Sequence, residues 1–246
     1  MQLSPHIYMV GSGKMGLRLT HALDCNVYLV HSDGESVLID AGGGVEPERI
    51  ASQIQKSGIA LNSLKTLLLT HIHADHCAGA RFWHDTYGVQ VLCANEGKNW
   101  METGDQEINS LRPAIEAGIY PPDYQYHACP VARGLDDGDE VACGSLKLRA
   151  IETPGHARSH LSFLLEHDGE SALFSGDLIF SGGKISLLNT WDSSIQEYSD
   201  SMAKVHALQV TQLFAGHGPA LLADAHEDIA RAHKRFQNLG IPRTLS

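Results

Sequence analysis

Basic charge is scarce in this sequence. Its 18 lysines and arginines face 29 aspartates and glutamates, a net charge of −11, whereas a phosphate-backbone binder carries the opposite surplus. Nucleic acid is therefore not an expected partner. No stretch approaches the roughly 18 uncharged apolar residues that read as a membrane-crossing helix. The first residues, "MQLSPHIYMV", lack the basic flank and apolar core of a signal peptide. No membrane association and a cytoplasmic location are the resulting expectations. The five cysteines (Cys25, Cys77, Cys93, Cys129 and Cys143) form no C-x-x-C pair, so neither a disulfide scaffold nor a cysteine zinc knuckle is indicated. Linkers, repeats and low-complexity tracts are also missing, and one domain over residues 1–246 is the simplest count.

A nucleotide fingerprint is present only in its spelling. Gly11, Gly13 and Gly16 stand in G-x-G-x-x-G register after an apolar run, with Asp33 downstream. A dinucleotide unit needs a crossover helix between its first two strands, and the residues between Gly16 and Asn26 leave room for two turns at most. The glycines are read instead as a flexible turn between early strands.

The periodicity predicts strands alternating with helices. "NVYLVHS" and "SVLIDAG" flank Asp33-Gly34, a two-residue hairpin signal. "PERIASQIQKSG" opens with Pro47 and closes at Gly58 around helically spaced isoleucines. "LKTLLLTH" reads as a buried strand, "AGARFWHDTYG" as a helix and "VQVLC" as a strand. Residues 95–130 break this rhythm, ending in "GIYPPDYQYHACP", where Pro121 and Pro122 forbid regular structure. They are expected to be a surface insertion over a pocket mouth or at a homodimer contact. Strands resume with "SLKLRAIETPG", "LSFLLEH", "SALFSGD" and "QLFAGHG", and helices are predicted in "SIQEYSDSMAKVHAL" and "ADAHEDIARAHKRFQNLG".

Fifteen histidines stand out. "LLLTHIHADH" places His71, His73, Asp75 and His76 just after a strand; "IETPGH" adds His156, "LFSGD" adds Asp177 and "LFAGHG" adds His217. Each is a buried apolar run, one or two small residues, then a metal-capable side chain. Strand ends that meet at one sheet edge are where α/β folds build sites, and imidazole with carboxylate suits zinc, and also iron or manganese.

H-x-H-x-D-H followed by T-P-G-H, S-G-D-x-x-F and G-H-G-P resembles the metallo-β-lactamase superfamily, in order and over nearly the whole chain. "LIDAGGG" with Asp40 is similar to that superfamily's N-terminal motif. The resemblance implies an α/β (α+β) four-layer αββα sandwich, two mixed sheets flanked by helices, with a two-metal site at one edge. His71, His73 and His156 would hold one divalent ion, and Asp75, His76 and His217 the second. Asp177 would bridge them, with Asp40 as support behind the ligands. Zinc is the expected metal. A metal-bridging hydroxide would then cleave an ester, thioester or lactone of a small-molecule substrate. Asp177 stands where true β-lactamases of the group usually carry cysteine, and with "GDLIF" it resembles the glyoxalase II-like branch of hydrolases. Persulfide dioxygenases of the same fold, with one iron and fewer ligands, are the alternative.

The candidate catalytic side chains are Asp75 and His160, the latter as a donor to a developing oxyanion or as support for a ligand. Lys184 is a candidate anchor for a substrate carboxylate, and Trp191, Tyr120 and Tyr124 are candidate pocket walls. Cys77 reads as a small buried side chain. His21, His31, His84, His127, His167, His206, His226 and His233 follow no ligand pattern and are read as surface or packing residues.

Overall fold

Alternation along each strand sends neighbouring side chains to opposite faces, and here the two faces meet different layers. In the computed structural model, which describes residues 1–245, one sheet has six strands in the order β1 (Ile7–Gly11), β2 (Val27–Ser32), β3 (Glu35–Ile39), β4 (Leu64–Leu68), β5 (Gln90–Ala94) and β6 (Arg133–Leu135). β1, β2 and β3 pair antiparallel, and β3 through β6 pair parallel. The second sheet runs β11 (Gln212–Ala215), β10 (Glu170–Gly176), β9 (Leu161–His167), β8 (Leu146–Glu152) and β7 (Glu140–Cys143). Only its β10–β11 pair is parallel. Both sheets are mixed.

Tyr28 and Val30 of β2 point into the space between the sheets, where they join Phe163, Leu165, Phe174 and Phe214 of the second sheet. Val27 and Leu29 point the other way, toward α1 (Pro47–Lys56) and α3 (Ala80–Tyr87), against Ile50, Ile54 and Trp83. Leu164, Leu173 and Leu213 play the same part for the second sheet, meeting Tyr198, Met202, Ile229 and Phe236 of α6 (Ile195–Ala207) and α7 (Ala225–Gln237). The result is the expected αββα sandwich. Trp83 is fully buried, so cutting it to alanine removes about 3–5 kcal/mol of stability.

Local chemistry sets the element ends. Pro47 opens α1, Gly58 lies just past it with φ of 79°, and Gly88 caps α3 in the left-handed region. Ser194 accepts a hydrogen bond from Glu197 N–H at 3.3 Å to start α6. Asp33 and Gly34, both at positive φ, form the hairpin turn between β2 and β3.

The early glycines differ from the expectation of a flexible turn. Gly11, Gly13 and Gly16 all avoid positive φ, and a Cβ on Gly13 would collide with the Asp24 carbonyl oxygen. A Cβ on Gly16 would collide with Ser12 Oγ. They are there for close packing, not for conformational freedom. The insertion is likewise more than surface. It contains α4 (Lys98–Thr103) and α5 (Leu111–Glu116). Its Leu111, Tyr120 and Tyr124 pack on Ala74 and Ala78, at and just after the short α2 (Ala74–Cys77). Among the described residues no helix is long and apolar enough to cross a membrane.

Candidate metal centre

β4, β10 and β11 end at one edge of the sandwich, and each hands on to a short segment bearing donors. Leu68 leads to His71 and His73, α2 carries Asp75 and His76, Gly176 is followed by Asp177, and Ala215 leads to His217. The loop after β8 adds His156. The structure thus brings together all seven sequence-predicted donors. Three overlapping groups have donor atoms within 4.8 Å: His71, His73 and His156; His71, His76 and Asp177; Asp75, His76 and His217. All are buried except Asp75, whose side chain is 22% exposed and so faces the opening.

The outward-facing ring nitrogens are already spent. His76 Nδ1 donates to Asp40 Oδ2 at 2.8 Å, and His71 Nδ1 donates to Thr70 Oγ1 at 3.0 Å, which in turn donates to Asp40. His156 Nδ1 donates to the Ser186 carbonyl at 2.7 Å, and His73 Nε2 donates to Asp192 Oδ2 at 3.1 Å. These bonds fix each tautomer and leave an acceptor lone pair on the inner nitrogen. His73 Nδ1 and His156 Nε2 then face each other at 3.0 Å, a spacing that a cation or a proton held between them would satisfy. His71 Nε2, His76 Nε2 and Asp177 Oδ1 are buried with no hydrogen-bond partner. Buried polar atoms are rarely left so, and the donor set fits divalent metal ions.

The charges agree. Burial raises the Asp177 carboxyl, but His217 and His76 outweigh it and hold it well below the usual carboxylate range. Burial lowers His217, yet Asp177 and Asp75 bring it up to about 9; its Nε2 lies 3.1 Å from Asp75 Oδ2 and 3.4 Å from Asp177 Oδ2. Burial drives His156 down to about 4, with Asp177 opposing. Without metal, the side with His217 holds protons that a cation would displace, whereas burial keeps His71 and His156 uncharged on the other.

His160 is buried and adjoins the cluster, its ring stacked on His71 with centroids 5.1 Å apart. Both its nitrogens are engaged: Nε2 accepts from Asp177 N–H at 3.2 Å, and Nδ1 bonds Thr153 Oγ1 at 2.9 Å. Tyr120 Oη donates to Asp75 Oδ1 at 3.0 Å, while Tyr124 Oη donates to the Gly43 carbonyl at 2.6 Å. Trp191 is half exposed and donates to the Ile108 carbonyl at 3.0 Å. Lys184 lies on a turn whose Gly183 packs against α7, bonded through its backbone to Phe180. Cys77 is buried, its thiol on the Ile72 carbonyl at 3.1 Å.

Thr70, Ser186, Asp192 and Asn26 escaped the sequence reading. Asp192, in "NTWD", holds His73 and accepts from Ser110 Oγ at 3.0 Å. Asn26 anchors the His217 loop, its N–H donating to Gly216 O at 2.6 Å and its side chain to Ala215 O and Gly218 O. A carboxylate just past a tryptophan near the last ligands was the one available signal for Asp192. Beside Asp192 lies a cavity of about 500 Å³ lined by Glu107, Ile108, Ser110, Pro113, Thr190 and Trp191.

A family model of the metallo-beta-lactamase superfamily matches residues 22–217, ending on the last histidine of the cluster. The chain belongs to the metallo-beta-lactamase superfamily. Among superfamily relatives, a "Beta-lactamase-like protein 2 homolog" of Caenorhabditis elegans is 27% identical over 80% of this chain and 56% of its own. An "Atrochrysone carboxyl ACP thioesterase" of Aspergillus fumigatus is 26% identical over 89% of this chain and 58% of its own. The chain thus spans less than two thirds of both curated relatives. The subclass B3 metallo-beta-lactamase BJP-1 of Bradyrhizobium japonicum shares the fold with a TM-score of 0.73, at 22% identity over 97% of this chain and 91% of that one.

Proposed function

We propose that this chain is a dinuclear metal-dependent hydrolase that cleaves an ester, thioester or lactone bond in a small molecule. The observation that carries the reading is the 3.0 Å approach of His73 Nδ1 to His156 Nε2, with both outer nitrogens spent as donors. His71, His73 and His156 would hold one cation, and Asp75, His76 and His217 the second. Asp177 would serve both, since its Oδ1 lies 3.3 Å from His76 Nε2 and its Oδ2 lies 3.6 Å from His156 Nε2. Two divalent ions, zinc by the nitrogen-and-oxygen donor set, would supply Lewis acidity that lowers the pKa of water toward ~7 and polarises a carbonyl.

The residues of the chain do the remaining work. Asp40, Thr70, Ser186 and Asp192 hold the imidazoles in single orientations. Tyr120 occupies Asp75 Oδ1 and leaves Oδ2 toward the cluster. The Asp75 carboxylate, the most exposed of the seven donors, is the candidate to take a proton during attack and return it to the leaving group. His160 acts through Asp177, fixing its backbone, and is a positioning residue in this scheme. The largely apolar cavity beside Asp192 suits the acyl part of the substrate, and residues 107–113 of the insertion form one of its walls, which supports the pocket-mouth role. The thioesterase names among the relatives favour a thioester.

The test is a panel of thioesters, lactones and simple esters offered to chelator-stripped and zinc-restored protein. The reading predicts hydrolysis that is lost on stripping and restored by zinc. Hydrolysis indifferent to chelation contradicts it, and one bound iron with persulfide oxidation favours the dioxygenase alternative.

A further inference from the structure

The opposite end of the sandwich carries a second set of metal-capable side chains. His6 precedes β1, His167 closes β9, and Asp168 begins the turn into β10. β9 runs from beside His160 to His167, so this end lies roughly 20 Å from the candidate centre at ~3.3 Å per strand residue. One donor atom from each of His6, His167 and Asp168 lies within 4.8 Å of the other two. The His6 and His167 rings meet edge to face with centroids 5.3 Å apart at 86°. His71 and His156 in the candidate centre meet at 4.9 Å and the same 86°.

Two further observations point to a ligand. His6 Nδ1 bonds the His31 carbonyl at 3.1 Å, which assigns the proton to Nδ1 and leaves Nε2 as the acceptor. The His167 side chain is only 5% exposed, and both its ring nitrogens are buried without a hydrogen-bond partner. Its Nδ1 lies 3.9 Å from Asp168 Oδ2, too far for a hydrogen bond. Asp168 is exposed and sits at φ of 50° beside Gly169 at 79°, so its carboxylate is free to turn onto the imidazoles.

We propose that His6, His167 and Asp168 bind a divalent transition cation, zinc by donor type, as a non-catalytic staple. Two imidazoles and a carboxylate are a tetrahedral set with water in the fourth place. The ion joins the start of β1, in one sheet, to the β9–β10 hairpin of the other. It takes no part in the hydrolysis.

The test compares the full chain with its Asp168→Asn and His6→Ala variants. Each protein is loaded with zinc, dialysed against metal-free buffer and assayed for zinc per chain, melting temperature and hydrolysis. Both variants are expected to retain one zinc fewer than the parent and to lose part of the zinc-dependent rise in melting temperature, while hydrolysis is unchanged. Asparagine tolerates the left-handed turn of residue 168, so misfolding does not imitate this result. Equal zinc counts in all three proteins overturn the proposal, as does a lost equivalent accompanied by lost hydrolysis. The readout is a difference in count, so it stands whatever the number of ions in the candidate centre.

Discussion

The two halves of the candidate centre are built from different chemistry. The His71, His73 and His156 half is all imidazole, with Thr70, Asp192 and Ser186 behind it. The Asp75, His76 and His217 half brings a carboxylate and keeps His217 charged up to about 9. A cation entering the first half meets the neutral lone pairs of His71 and His156, whereas one entering the second must displace protons. Similar donor counts therefore give unequal dependence on pH.

The largest effect belongs to the residue common to both halves. Asp177→Ala is expected to abolish hydrolysis and to hold more than one zinc fewer per chain than the parent after dialysis, read by elemental analysis. His73→Ala and Asp75→Ala divide the comparison. Each is expected to hold one zinc fewer per chain than the parent and to lose hydrolysis, and an unchanged count in either would break the division into halves.

Those variants also expose the difference in protons. In His73→Ala the remaining ion occupies the half with His217, which carries a proton below about 9. Its affinity is expected to rise about tenfold per pH unit for each proton displaced, then level off above pH 9. In Asp75→Ala the remaining ion occupies the half where burial keeps His71 and His156 uncharged, His156 above about 4, so its affinity should rise less steeply from pH 6 to 9. Competition with a chromophoric chelator at several pH values checks both, and equal slopes would erase the contrast. Smaller effects come from the supporting residues. Asp192→Asn should weaken the first half, and Tyr120→Phe the second, each by about 10–100-fold in metal affinity with the fold kept. Circular dichroism and metal titration check that pair.

The candidate donors were legible because residue type and position coincide: a metal-capable side chain soon after a buried strand, as at His71, His156, Asp177 and His217. Long alternating strands and the capped helices were legible for the same periodic reasons. Of the support behind the donors, Asp40 and His160 were legible and the rest was not. Asp192 meets His73 across 119 residues of chain, from an irregular segment with no pattern of its own. Tyr120 was seen as a pocket wall because an aromatic ring advertises packing, while its hydroxyl bond to Asp75 depends on how the insertion folds over α2. The strand Arg133–Leu135 has three residues, too few to show a period. His167 reads alone as a packing histidine at the end of a strand, and only the fold brings His6 to it.

The central claim is that two cations share the cluster around Asp177. An anomalous difference map at the zinc absorption edge, from zinc-loaded crystals, tests it most directly. The account predicts two peaks about 3.5–4 Å apart, one among His71, His73 and His156, the other among Asp75, His76 and His217. A single peak in the cluster, or two peaks too far apart for Asp177 to touch both, would contradict it.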